Sequence, residues 1–165
     1  MTALTSALFF LALVQNAAAD PSPHAEHFVK ANGVKLHYLD WGGNGETLVL
    51  VTGYGTTAHT FDDFAPRFTN RFRVVSFTRR GTTPSERPTS GYDLATLTRD
   101  LEALLDLLGV ERVHLVAHSF GGPEITSFAT LHPDRVISLV FIDAALDFAA
   151  GDALMRGPMF SGSLL

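Results

Sequence analysis

Apolar residues recur along this chain at two spacings. Thr47 to Thr52, Val113 to Val116 and Val136 to Ile142 are short, nearly continuous apolar runs. That is the pattern of strands covered on both faces. Arg73 to Phe77 is a further strand of this kind. From Asp93 to Leu108 the rhythm changes. Leu94, Leu97, Leu101, Leu104, Leu105 and Leu108 fall on one side of a helix. Asp93 suits its N-cap and Gly109 the position after its end. A second helix is predicted from Pro123 to Leu131, with proline in the first turn, where its missing N–H costs little. His132-Pro133 ends it.

The front of the chain carries a third pattern. Asp20 to Glu26 reads as linker, followed by β-like runs at His27 to Ala31 and Val34 to Trp41. Asn32-Gly33 between them is a strong two-residue hairpin signal. Gly42-Gly43-Asn44-Gly45 forms a loop. Phe61, Phe64 and Phe68 stand at i, i+3 and i+7 and predict a short helix, which Pro66 shortens or bends. The element order is β-β-β-α-β-α-β-α-β. It predicts an α/β fold with a mainly parallel sheet, helices on both faces and an antiparallel hairpin at one edge.

Composition narrows this little. The 165 residues suit one domain, and a hydrophobic fraction of 46% permits a real core. A formal net charge of -5 gives no nucleic-acid footprint. Arg79-Arg80, the one basic pair, reads as a turn beside a strand. The absence of cysteine excludes disulfides, thiol catalysis and cysteine-held metal. Leu4 to Val14 is mostly apolar, too short to span a bilayer, and Ala17-Ala18-Ala19 offers a cleavage site. Residues 1–19 are therefore expected to be a signal peptide. The expected location is secreted or periplasmic, although Met1 to Ser6 holds no Lys or Arg.

Candidate chemistry sits at Ala117-His118-Ser119-Phe120-Gly121-Gly122. A strand, a tight turn bearing serine and a helix follow one another there. Such a turn strains the backbone and lifts Oγ above the sheet at a helix N-terminus. The flanks add to it. Thr52-Gly53-Tyr54-Gly55 follows one strand, and Arg79-Arg80-Gly81-Thr82-Thr83-Pro84-Ser85 follows the next. Leu131-His132-Pro133-Asp134-Arg135-Val136 joins the serine helix to the last strand. In this order, over about residues 27–148, these segments resemble the α/β-hydrolase superfamily. Two positions depart from its pattern: Ala117 replaces a glycine, and Thr52 replaces a histidine.

The resemblance implies a serine nucleophile, Ser119, with an oxyanion hole built from the N–H groups of Phe120 and Tyr54. It offers Asp143, at the end of the last strand, as the acid. The implied order is serine, acid, histidine, yet none of the seven histidines follows Asp143. His118 adjoins Ser119 with its side chain expected to point away. His59, near the oxyanion loop, is the one internal substitute. The expectation is thus a hydrolase domain over 20–165, cut short at its C-terminus, with 147–165 the start of a lid. The implied substrates are small esters or related acyl compounds, with no cofactor, metal, nucleic acid or stable membrane span. A serine argues against epoxide hydrolase and dehalogenase chemistry, whose nucleophile in this superfamily is usually aspartate. Two alternatives stay open: a cofactor-free haloperoxidase or acyltransferase of the same fold, and a non-catalytic binding protein or decayed fragment. The apolar strand Val136 to Ile142, with only Ser138 to guard it, is expected to be an edge through which the chain self-associates.

Overall fold

The computed structural model describes residues 22–146, so the expected leader and lid segments lie outside the described residues. Strands β1 (Ala25–Ala31) and β2 (Val34–Gly42) form an antiparallel hairpin. Asn32 and Gly33 turn it with φ of +45° and +82°. Positive φ at both central residues is what a type I′ turn requires. Strands β3 (Thr47–Val51), β4 (Arg73–Thr78), β5 (Val113–His118) and β6 (Val136–Ile142) complete a six-stranded sheet of order β1-β2-β4-β3-β5-β6. β4, β3, β5 and β6 run parallel. This is the mainly parallel sheet with an antiparallel edge that the sequence predicts.

Each face of the sheet has its own core. On one side, helices α1 (Leu94–Leu107) and α2 (Gly121–Leu131) lay Leu101, Leu104, Leu105, Ile125 and Phe128 over Val49, Val51, Val75, Phe77 and Leu115. On the other, Ala58, Phe61 and Ala65 cover Leu39, Leu48, Leu50, Val74 and Val116. The phenylalanine-rich segment is not one helix. It forms two 3-10 turns, Ala58–Phe61 and Ala65–Phe68, with Pro66 opening the second. Proline lacks the N–H that a continuous helix would need there. Phe61 is buried, and Phe64 and Phe68 pack beside it, so the shared apolar face survives the break. β5 extends two residues past the predicted run, and α2 starts two residues before Pro123. Both shifts tighten the serine turn.

α1 starts as predicted. The Asp93 side chain accepts hydrogen bonds from the Thr96 amide at 2.9 Å and the Thr96 hydroxyl at 2.8 Å. Those bonds, the hydroxyl's first, hold its carboxyl below the ordinary 3.8. A depressed folded-state value means that the cap stabilises above the unfolded value and is lost as pH falls through the folded one. Asp93→Ala is thus expected to lower the melting temperature near neutral pH. The gap from the parent chain should close in acid, which thermal melts across a pH series will check.

Among the described residues β6 pairs with β5 alone, leaving its outer row of backbone groups unpaired. Val140 and Ile142 on it are exposed. An apolar edge without charge or proline invites pairing with another chain. We expect concentration-dependent association in sedimentation velocity, weakened by Val140→Lys. A monodisperse monomer at all concentrations would remove this expectation.

Candidate active site

Ser119 sits between β5 and α2 with φ +52°, in the left-handed region. For a residue other than glycine that conformation costs on the order of 1–3 kcal/mol and persists only where surroundings enforce it. Its N–H donates to Ile142 O at 3.3 Å, and its own carbonyl accepts from the Gly122 N–H at 3.2 Å. The turn is thus clamped between the end of β6 and the first turn of α2.

Small residues make the clamp possible. A Cβ on Gly121 would stand 2.8 Å from the Val51 carbonyl oxygen and 3.0 Å from that of Thr52. A Cβ on Gly122 would overlap the Ala145 carbonyl. One on Gly53 would come 3.2 Å from Ser119 Cβ and 3.6 Å from its Oγ. The start of α2 therefore presses onto the end of β3, and the loop after β3 passes directly against the serine. Tyr54 is 75% exposed, and its ring meets Phe120 edge-on at 5.7 Å. The two residues expected to supply oxyanion donors are brought together beside Ser119. Asp143 follows β6 with φ +45° and is exposed.

What fixes the loop is a buried ion pair that the sequence reading missed. Arg79 does follow β4 directly, as a turn residue beside a strand, but its side chain is buried together with Glu124 of α2. Its guanidinium reaches Glu124 Oε2 at 2.6 and 3.0 Å, the Thr52 carbonyl at 3.1 Å and the Gly53 carbonyl at 3.1 Å. One planar cation thus joins the loop after β3 to the helix that carries the serine. Burial pushes the Glu124 carboxyl above its ordinary value, against the pull of Arg79, and its Oε1 has no partner among the described residues. Arg80 is also buried, forked onto Asp100 of α1, which accepts as well from Asn32 Nδ2 at 2.8 Å. The signal available in sequence was two acids, Asp100 and Glu124, set into otherwise apolar helix faces.

Three of the histidines, His24, His37 and His59, lie close together, and the others are placed singly. His37 Nδ1 lies 2.8 Å from Thr78 Oγ1. His114 bridges Ser138 and Glu46, and His132 lies by Glu102. His59, the internal substitute, sits instead with its Nδ1 2.9 Å from Asp62 Oδ2. His118 Nδ1 and the Ser119 side chain border the same glycine, Gly53, from which a Cβ would come 3.3 Å from that nitrogen. Among the described residues no histidine is hydrogen-bonded to Ser119 Oγ.

A parallel sheet with a strained serine turn at the carboxyl end of a central strand defines a hydrolase-type α/β protein. Residues 46–162 match the α/β hydrolase fold family, and the chain belongs to it. Three relatives give the scale of the likeness. The soluble epoxide hydrolase of Corynebacterium sp. strain C12 is 31% identical over 71% of this chain and 41% of its own length. The cis-3-alkyl-4-alkyloxetan-2-one decarboxylase of Shewanella oneidensis is 34% identical over 73% of this chain and 39% of its own. The crystal structure of a bacterial membrane phospholipase A superposes with a TM-score of 0.71 at 32% identity, covering 75% of this chain and 41% of that one. The chain spans about two fifths of the length of the relatives it matches.

Arg79→Leu would leave Glu124 buried without its cation. Removing one partner of a buried pair typically costs about 3–5 kcal/mol, whereas replacing both with apolar groups is often nearly neutral. Urea unfolding should show the single variant strongly destabilised and Arg79→Leu/Glu124→Leu substantially recovered.

Proposed function

We propose that this chain carries the nucleophile and oxyanion-hole part of a serine hydrolase that acts on small esters or related acyl compounds. The observation that carries the reading is the Ser119 turn. Its left-handed backbone holds the serine at the N-terminus of α2, against Gly53 of the adjoining loop. A hydroxyl is a weak nucleophile, so a base must take its proton as Oγ attacks the acyl carbon. The carbonyl oxygen becomes an oxyanion, which we assign to the N–H groups of Phe120 and Tyr54. Each such donor typically contributes on the order of 3 kcal/mol to the transition state. The leaving alkoxide departs with a proton, an acyl-serine remains, and water releases the acid. We assign Asp143 as the candidate acid behind the base. In the chain order of this family, that base is a histidine following the acid.

The nucleophile's identity favours acyl transfer over ring opening. Attack by serine on an ester leaves another ester on the enzyme, which water can hydrolyse. Attack on an epoxide carbon would leave a serine ether, which water does not cleave under mild conditions. The epoxide-hydrolase likeness therefore supports the fold and the hydrolytic class more than the substrate.

The test isolates the first half of the reaction. The chain is incubated with p-nitrophenyl acetate and its peptides are weighed. An acetyl group on Ser119, absent in Ser119→Ala, is expected, with slow turnover. Even without a complete triad, residual catalysis of about 10³–10⁴ over water is known for such sites. Acetylation confined to lysines, or equal p-nitrophenol release by both proteins, would overturn the proposal.

A further inference from the structure

The geometry points to a divalent metal site, fitted to Zn²⁺, formed by His24, His59 and Asp62 away from the serine. One ring nitrogen of each histidine and a carboxylate oxygen of Asp62 lie within 4.8 Å of one another. His59 Nδ1 stands 2.9 Å from Asp62 Oδ2, and His24 Nδ1 3.8 Å from Asp62 Oδ1. A tetrahedral ion with bonds of about 2.0–2.1 Å sets its ligands about 3.3 Å apart, so these groups need only small rotations to close on one. Two imidazoles and one carboxylate form a donor set suited to zinc, with the fourth position left to water.

Two further observations separate this group from a chance surface cluster. Asp62 Oδ1 is buried and accepts no hydrogen bond among the described residues. A carboxylate oxygen in that state is a costly group that a cation would satisfy. The ligands are also held before any ion arrives. Trp41 Nε1 donates to Ser22 Oγ at 2.7 Å, and Ser22 Oγ donates to the Asp62 carbonyl at 3.2 Å. The His24 ring packs edge-on against Trp41 at 5.6 Å and against His59 at 5.2 Å. The segment before β1, which the sequence suggests is mere linker, is thus seated on the first 3-10 turn.

The site's position gives it a consequence. That 3-10 turn follows the oxyanion loop directly, and the Ala58 N–H at its start donates to Thr78 Oγ1 at 3.0 Å. Thr56 Oγ1 donates back to the Gly53 carbonyl at 3.1 Å. An ion bridging His24 to His59 and Asp62 ties the lead-in segment to the turn and stiffens the base of the loop.

The experiment uses the full chain without a histidine tag, stripped with EDTA and dialysed. Zn²⁺ should bind at one equivalent. At about a hundredfold excess over the dissociation constant it should raise the melting temperature by about 5–10 °C. Co²⁺ should give the intense visible absorption of a four-coordinate ion. His24→Gln and Asp62→Asn should each lose the cobalt band and weaken zinc binding by at least about tenfold, the least that loss of even a ligand's hydrogen-bond partner typically costs. His27→Gln, on the neighbouring strand, should leave both intact. Melts of the metal-free variants show whether they fold. A parent chain with no zinc response overturns the proposal. So does a response that survives in folded His24→Gln and Asp62→Asn, or the pale spectrum of six-coordinate cobalt.

Discussion

The buried contact between Arg79 and Glu124 is what the candidate site depends on most. β3, β4 and α2 each bring one part of it: the loop carbonyls, the guanidinium and the carboxylate. None of the three could be left there alone. Two carbonyls at a strand end, a buried cation and a buried anion are each costly without a partner. Joined, they fix the distance between the loop after β3 and the helix that begins at the serine. A lysine could neutralise Glu124, but it offers no planar fork to reach two carbonyls and a carboxylate together.

Strain and close packing complete the arrangement. The left-handed Ser119 is unfavourable by itself. It is held because Gly121 and Gly122 let α2 start in contact with β3 and with the segment after β6. The turn's energy is therefore supplied by the apolar core beneath it, where Ile125 and Phe128 of α2 are fully buried. Ala117, where a glycine is usual, costs nothing visible, because its side chain points into that core.

Much of the architecture was legible because its signals are local. The Asn32-Gly33 turn, the α1 leucine stripe, the Asp93 cap and the serine turn each depend on a few neighbouring residues. What escaped was non-local. Arg79 and Glu124 are 45 residues apart, and Arg80 and Asp100 are 20 apart. No periodicity announces that a charged residue will be buried against another so distant. The same holds for His24 and Asp62, which come from a supposed linker and a supposed helix. The single helix expected around Phe61 failed for a different reason. The apolar spacing was right, but Pro66 removed an N–H, and two short turns met the same burial demand. For the candidate site residues, the structure places the Tyr54 ring against Phe120, the neighbour of Ser119. Sequence could not supply the geometry of Asp143, whose exposed position after β6 depends on backbone turns.

The packing of Gly122 beneath Ala145 carries a consequence for synthesis on the ribosome. The serine turn lies in the last quarter of the described residues, yet it is braced by residues more than twenty positions further downstream. While those residues are still inside the exit tunnel, β5 lacks β6 beside it, and the left-handed Ser119 lacks its bond to Ile142. The Ser119 turn is thus among the last parts of this sheet to be set. A growing chain exposes the residues of the hairpin and of α1 well before it can hold Ser119 in place.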